Sequence, residues 1–253
     1  MNSEILLTSN DGAVRILTLN RPDKRNALND ELIAALKAAL VEADGDESLR
    51  AIVIRGAGKD FCSGADLASL QKISENTLDE NVADAMSLAE LFELIRRVRI
   101  PVIAAVRGRA LAGGFGLALA CDLIVADSTS RFGFPEVKIG FVPAMVAGVL
   151  RRNLGEKKSF ELLTQGFEYS ADEAVELGLV NRVIDGENFE SAVLEYASIY
   201  SKVSKSAVEM TKRLLYDIDG LSFADAIAKG VEINARARMT EDCQKGIAKF
   251  LAK

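Results

Sequence analysis

Apolar residues recur along the chain with two different periods. Residues 4–9 and 13–19 are β-rich runs, and Asn10-Asp-Gly12 between them is a hairpin signal. Arg21-Pro22 ends the second run. Asn29 or Asp30 then caps a helix that reaches residue 41, with Leu32, Ile33, Leu36 and Leu40 at helical spacing. Residues 51–54, 102–106 and 123–126 are short, unbroken apolar runs. Strands buried on both faces of a parallel sheet have that pattern. Between them lie a helix over 78–98, with Leu88, Leu91, Phe92 and Ile95 on one face, and a small-residue helix from about 113 to 120. After Pro143 the chain reads as helical almost throughout. Ser170 and Glu173 form a capping box, residues 180–183 make a short strand, and the stretch 187–251 reads as three amphipathic helices. Alternating strands and helices followed by a helical tail predict an α/β fold. The core is expected over 1–190 and a C-terminal helical module over 191–253.

Composition narrows the function. Hydrophobic residues make up 49% of 253, enough for a sizeable core. The net charge is −6 and no dense Lys/Arg run occurs, so no basic face for nucleic acid is expected. The longest apolar run, around 110–120, holds three glycines and is too short to span a bilayer. No basic n-region precedes an apolar core at the N-terminus, so no signal peptide is expected. Cys62, Cys121 and Cys243 are odd in number and widely spaced, which argues for a reducing compartment, the cytoplasm. Histidine is absent. Proton transfer near neutral pH must therefore fall to a carboxyl, Lys, Tyr or Cys, and no zinc-type metal site is expected.

Three short segments carry candidate chemistry. Gly113-Gly114 follows a strand and opens a helix, so a free N–H there gains from the helix dipole. Close helix–strand packing selects the same glycines. A dinucleotide fingerprint is set aside, because Leu119 stands where the third glycine belongs. The turn Ser63-Gly-Ala-Asp66 offers further N–H groups; its other reading is an ordinary helix start capped by Asp66. Glu136 is flanked by Phe132, Phe134, Ile139 and Phe141. It is either a base in an apolar pocket or a surface glutamate. Cys62 has no histidine to activate it and reads as a small core residue.

Six segments in order resemble the crotonase superfamily, the enoyl-CoA hydratases and isomerases. They are Leu19-Asn-Arg-Pro-Asp-Lys-Arg-Asn-Ala-Leu28, Phe61-Cys-Ser-Gly-Ala-Asp-Leu67, Gly108-Arg-Ala-Leu-Ala-Gly-Gly-Phe-Gly-Leu-Ala-Leu-Ala-Cys-Asp122, Phe132-Gly-Phe-Pro-Glu-Val-Lys-Ile-Gly140, Ala171-Asp-Glu-Ala-Val-Glu-Leu-Gly-Leu-Val180 and Glu241-Asp-Cys-Gln-Lys-Gly-Ile-Ala-Lys-Phe250. The likeness spans essentially the whole chain. It implies a crotonase-like spiral of ββα units with a C-terminal helical trimerisation module, and hence a homo-oligomer, a trimer or a dimer of trimers. It implies an acyl-CoA thioester whose carbonyl oxygen sits on the N–H groups of Ala65 and Gly113. Coenzyme A would be part of the substrate, with no other cofactor, and would run past Lys24, Ala27, Ser63, Asp66 and Leu67. Gly114 and Gly116 would lie beside the substrate, and Phe115, Phe134, Phe141 and Met145 would shape the acyl pocket.

One departure bears on the reaction. Hydratases of the superfamily usually carry two glutamates, and Gly116 stands at the first position. Ala144 stands where dienoyl-CoA isomerases carry an aspartate. Glu136 is thus the single acid/base that the resemblance supplies. Bacterial hydratases related to methylglutaconyl-CoA hydratase are similar in having glycine at the first site. The expected activity is hydration of a 2-enoyl-CoA. The alternatives are a 3,2-enoyl-CoA isomerase and, from another class, a non-catalytic acyl-CoA binder.

Overall fold

The computed structural model describes residues 4–252, apart from the side chains of Leu67 and Leu70. β1 (Leu6–Asp11) and β2 (Val14–Leu19) pair as an antiparallel hairpin. Its turn uses Gly12 at φ 55°, a conformation glycine adopts without strain. The chain then crosses α1 (Asp30–Gly45) and enters β3 (Ala51–Gly56). Asn29 is the cap: its side chain accepts from the Leu32 N–H at 3.0 Å. The helix runs past residue 41 because its buried stripe continues through Ala43.

Two helices follow, α2 (Leu67–Glu75) and α3 (Leu78–Arg97), the second opened by a Thr77/Glu80 capping box. Next come β4 (Val102–Val106), β5 (Arg109–Leu111), α4 (Gly113–Ala120), β6 (Leu123–Asp127) and β7 (Arg131–Gly133). A 3-10 helical turn over Pro135–Ile139 leads to α5 (Ala144–Leu150) and α6 (Glu156–Gln165). β8 (Glu168–Ser170), α7 (Ala171–Glu176) and β9 (Arg182–Ile184) complete the sheet region. The end of the chain holds α8 (Phe189–Ser198), α9 (Lys205–Asp217), α10 (Phe223–Arg238) and α11 (Glu241–Leu251).

The main sheet has six strands in the order β1-β2-β3-β4-β6-β9, parallel from β2 onward. Alternate residues of its central strands feed two separate cores. Leu17, Leu19, Ile52, Ile54 and Ala104 face the larger one, with α1, α3 and α4. Val14, Val53, Ile103, Ala105 and Val125 face the smaller one, closed by Phe189, Val193 and Ala197 of α8. Two buried faces explain why these strands are apolar at every position rather than alternating. A second sheet, β5-β7-β8, stands off the first.

Two expectations are corrected. The region after Pro143 is not wholly helical, because β8 pairs antiparallel with β7. Among the described residues the tail holds four helices rather than three, the last of them capped by Thr240. The boundary expected at 190/191 falls inside α8, which packs on β2, β3 and β4. Beyond it, α9 is fastened to the core by Lys212, whose ammonium donates to the Ile95 and Ile100 carbonyls and meets Asp122 at 2.7 Å. α10 and α11 pack on α9 and on each other.

Candidate active site

The site is assembled from three turns, and backbone hydrogen bonds fix each of them. Asn26 is fully buried. Its amide donates to the Ala57 and Asp60 carbonyls at 2.9 and 2.7 Å and accepts from the Arg21 N–H at 2.9 Å. One side chain thereby ties the loop after β2 to the loop after β3. Leu28 then bridges to the first glycine turn: its N–H donates to Gly64 O, and its carbonyl accepts from Asp66 N–H. The N–H of Ala65 lies between these two bonds. Among the described residues it meets no acceptor.

The second turn is docked on the first. Cys62 and Ala110 form a bridge, with Cys62 N–H on Arg109 O and Leu111 N–H on Cys62 O. Ala112 follows at φ 51°, ψ −128° and gives its N–H to Gly133 O. A residue with a Cβ held in such a sparsely populated region costs about 1–3 kcal/mol. Gly113 opens α4, and its N–H also meets no acceptor among the described residues. The two turns touch, since a Cβ built on Gly64 would lie 2.8 Å from the Ala112 methyl and 3.5 Å from the Gly113 nitrogen.

The third turn carries Glu136. Pro135 starts the 3-10 turn and Gly140 ends it in the left-handed region at φ 76°. Glu136 is half-buried, and its Oε2 is buried with no hydrogen-bond partner among the described residues. Desolvation raises its pKa above the usual carboxylate range, partly offset by a hydrogen bond from its own backbone N–H. A raised pKa makes the carboxylate a stronger base than a solvent-exposed glutamate.

Ala65, Ala112, Gly113 and Glu136 all line one cavity of about 410 Å³. Its walls are otherwise mainly apolar, with Leu28, Ile33, Leu88, Phe141, Met145 and Val146. Ser63 lines it as well. A larger cavity, about 760 Å³, lies between α9 and the core. Its charged groups already pair: Lys212 with Asp122, and Arg96 and Arg152 with Asp219. It contains neither free N–H of the turns.

Several expected site residues do not face that cavity. Phe115 and Phe134 are fully buried and stack at 4.9 Å, and Phe115 also meets Phe132, so they support the turns from beneath. A Cβ on Gly114 would lie 2.3 Å from Cys62 O, so this glycine serves close packing. A Cβ on Gly116 would lie 2.3 Å from Val146 Cγ1 and 2.9 Å from Phe92 Cζ. The space where a first glutamate would start is filled by those two side chains. Asp66 caps α2 through the Ala68 N–H and pairs with Arg21 at 2.5 Å. Burial opposes its ionisation, but those two partners outweigh burial and hold its carboxyl below the usual range. Ala27 is buried, with its carbonyl bound by Arg21, and Lys24 is exposed on the preceding 3-10 turn. Leu67 opens α2, and its side chain lies outside the described residues. Cys62 is buried and its thiol is pushed up to about 12, which removes it as a nucleophile. Sequence reasoning missed Asn26, Ala112 and Val146. Asn26 stood within a motif, but nothing local distinguishes a buried amide from a turn residue.

Comparison with known proteins identifies the family. The enoyl-CoA hydratase/isomerase family matches residues 9–253. The chain is 41% identical over 243 residues to a putative enoyl-CoA hydratase of Thermus thermophilus, covering 96% of each. It is 33% identical over 250 residues to the 2,3-dehydroadipyl-CoA hydratase of Escherichia coli, covering 98% of this chain and 96% of that one. A crystal structure of an enoyl-CoA hydratase from Mycobacterium smegmatis superposes with a TM-score of 0.94 at 34% identity, covering 99% of this chain and 97% of the other. The chain belongs to the enoyl-CoA hydratase/isomerase family, within the crotonase superfamily, and is an enzyme of that kind.

Proposed function

We propose that the enzyme adds water reversibly to a 2-enoyl-CoA thioester through an enolate held by the N–H groups of Ala65 and Gly113. One observation carries the reading: a buried carboxyl oxygen of Glu136 without a partner shares an apolar cavity with those two free donors. Bound on the two amides, the thioester carbonyl draws electrons from the conjugated double bond and makes C3 electrophilic. Glu136 as carboxylate takes a proton from water, and the hydroxide oxygen bonds to C3. The double-bond electrons move toward C2 and the carbonyl oxygen as an enolate. Glu136, now a neutral acid, returns the proton to C2. The donors are fixed before charge develops, so they need no reorganisation when it does.

Coenzyme A enters as part of the substrate, with no further cofactor. In this reading its chain passes Ser63 at the cavity, with Lys24 nearby as the exposed cation. The protein works as a homo-oligomer, a trimer or a dimer of trimers. Two buried and one partly buried free cysteine fit a reducing compartment such as the cytoplasm. Among the described residues no helix is long and apolar enough to cross a membrane.

A second reading has its own support. Val146 and Phe92 fill the place of a first glutamate, so no second carboxyl orients the water. A 3,2-enoyl-CoA isomerase needs one base only, to carry a proton from C2 to C4. Incubation of the purified protein with crotonyl-CoA, 2,3-dehydroadipyl-CoA and a 3-enoyl-CoA separates the readings. A 3-hydroxyacyl-CoA product supports hydration. A 2-enoyl product from the 3-enoyl substrate, with no water added to any 2-enoyl-CoA, replaces it with isomerisation. Binding of all three without turnover leaves an acyl-CoA binder.

A further inference from the structure

Among the described residues three other than glycine have positive φ: Arg25, Asn26 and Ala112. Arg25 adopts the ordinary left-handed helical conformation at the end of a 3-10 turn. Asn26 is held by its side-chain amide, which donates two hydrogen bonds and accepts a third from the Arg21 N–H. Ala112 has neither excuse. Its φ of 51° and ψ of −128° lie where glycine is at ease and a Cβ is not.

The conformation is imposed from outside. The Ala112 N–H is tied to Gly133 O at 2.9 Å, and its carbonyl accepts from Gly116 N–H at 3.0 Å. Its methyl is wedged against Gly64, whose own Cβ would stand only 2.8 Å away. The neighbours of these two residues are the two free donors: Gly113 follows Ala112, and Ala65 follows Gly64. The plane of the Ala112–Gly113 peptide, and so the direction of the Gly113 N–H, is set by ψ at Ala112.

We infer that Ala112 is a positioning residue for the oxyanion donors. Its strained backbone aims the Gly113 N–H, and its methyl, seated on Gly64, fixes the separation from the Ala65 N–H. A glycine at 112 would satisfy the backbone better and the reaction worse. It would allow ψ to relax and would remove the spacer between the turns. Strain of this kind persists where a rigid placement serves chemistry. The inference rests on the proposed use of the two N–H groups to hold a thioester oxyanion.

The test compares Ala112→Gly and Ala112→Ser with the wild-type enzyme by steady-state kinetics and thermal melting. The substrate is whichever of the three thioesters the wild type turns over. Ala112→Gly is expected to lose roughly tenfold to a hundredfold in kcat, the scale of a misplacement of about an ångström. Its KM stays within about twofold, because most binding contacts lie on the coenzyme A portion. Its Tm is unchanged or higher, because strain is relieved. Ala112→Ser keeps the Cβ and recovers most of the lost rate. Full kcat in Ala112→Gly overturns the inference, as does a loss of kcat that merely follows a loss of Tm in both variants. Wild-type protein that turns over no thioester overturns the proposed activity instead. In that case melting still decides the strain: an Ala112→Gly protein less stable than wild type refutes it.

Discussion

At the scale of single residues, the Glu136 carboxyl is held where solvent would stabilise it better. Burial raises its pKa, and one oxygen lacks a partner. In the proposed reaction the active form is the carboxylate, so kcat/KM should fall as pH drops through the raised value, with an acid limb above the ordinary 4.5. A pH–rate profile locates that limb. Glu136→Gln keeps the shape and cannot accept the proton. It should lose on the order of 10²–10⁴ in kcat or more, with acyl-CoA affinity nearly unchanged by calorimetry. Stability should move the other way. A folded-state pKa above the unfolded one means that the stabilising contribution is present at low pH and lost as pH rises through the folded value. Gln removes that loss. The variant should therefore melt higher than wild type at pH 8, with the gap closing toward pH 4. Equal Tm at both pH values would show that the carboxyl is not held against its preference.

At the scale of elements, the proposed reaction depends on the start of α4. Gly113→Pro removes one donor while keeping a residue that suits the first helical turn. Loss of a single oxyanion donor costs about 10²–10³ in rate. The variant should retain its circular dichroism and lose turnover by that amount. A soluble, folded and fast variant would remove Gly113 from the site. One turn further along, Gly116 behaves differently. Gly116→Glu cannot simply restore a second carboxyl, because Val146 and Phe92 already occupy its Cβ direction. Such overpacking costs typically about 1–3 kcal/mol. The single variant should melt lower and add no hydration, and Val146→Ala in the same chain should recover stability. Gain of hydration in the single variant would mean that this wall yields.

These elements also show what the chain made legible. The hairpin at Gly12, the Ser170/Glu173 box and both ends of α4 were readable, because turn residues and helical spacing act locally. β5, β7 and β8 were not. Each has three residues, too few for a period, and each exists only because the turns at Cys62 and Gly133 supply partners from afar. Phe115 and Phe134 looked like pocket walls for the same reason. An apolar side chain next to a catalytic motif reads alike whether it lines the cavity or lies beneath it. Asp66 resolved toward the plainer of its two readings, as the cap of α2.

At the scale of the whole molecule, the C-terminal helices present a surface that one chain does not cover. Phe223, Ile227 and Val231 form a stripe along α10, and Ile247, Phe250 and Leu251 form another on α11. Phe223 is 83% exposed, Phe250 79% and Leu251 77%. Single exposed apolar residues are ordinary, but two helical stripes on adjacent elements are not, since large contiguous apolar patches are rare on monomers. The positions also repeat at i, i+4 and i+8 on α10 and at i, i+3 and i+4 on α11, the spacing that a helix uses to bury a face. Lys212 with Asp122, together with Lys205 on Glu47, anchors α9 to its own core, so the stripes beyond α9 are free to meet another copy. Light scattering at micromolar concentration should give the mass of three or six chains. Phe223→Asp combined with Phe250→Asp places charge on both stripes and should shift that mass toward one chain, while far-UV circular dichroism shows the helices intact. A wild-type monomer at that concentration would refute the assembly. A double variant of unchanged mass would move the contact to another face of the molecule.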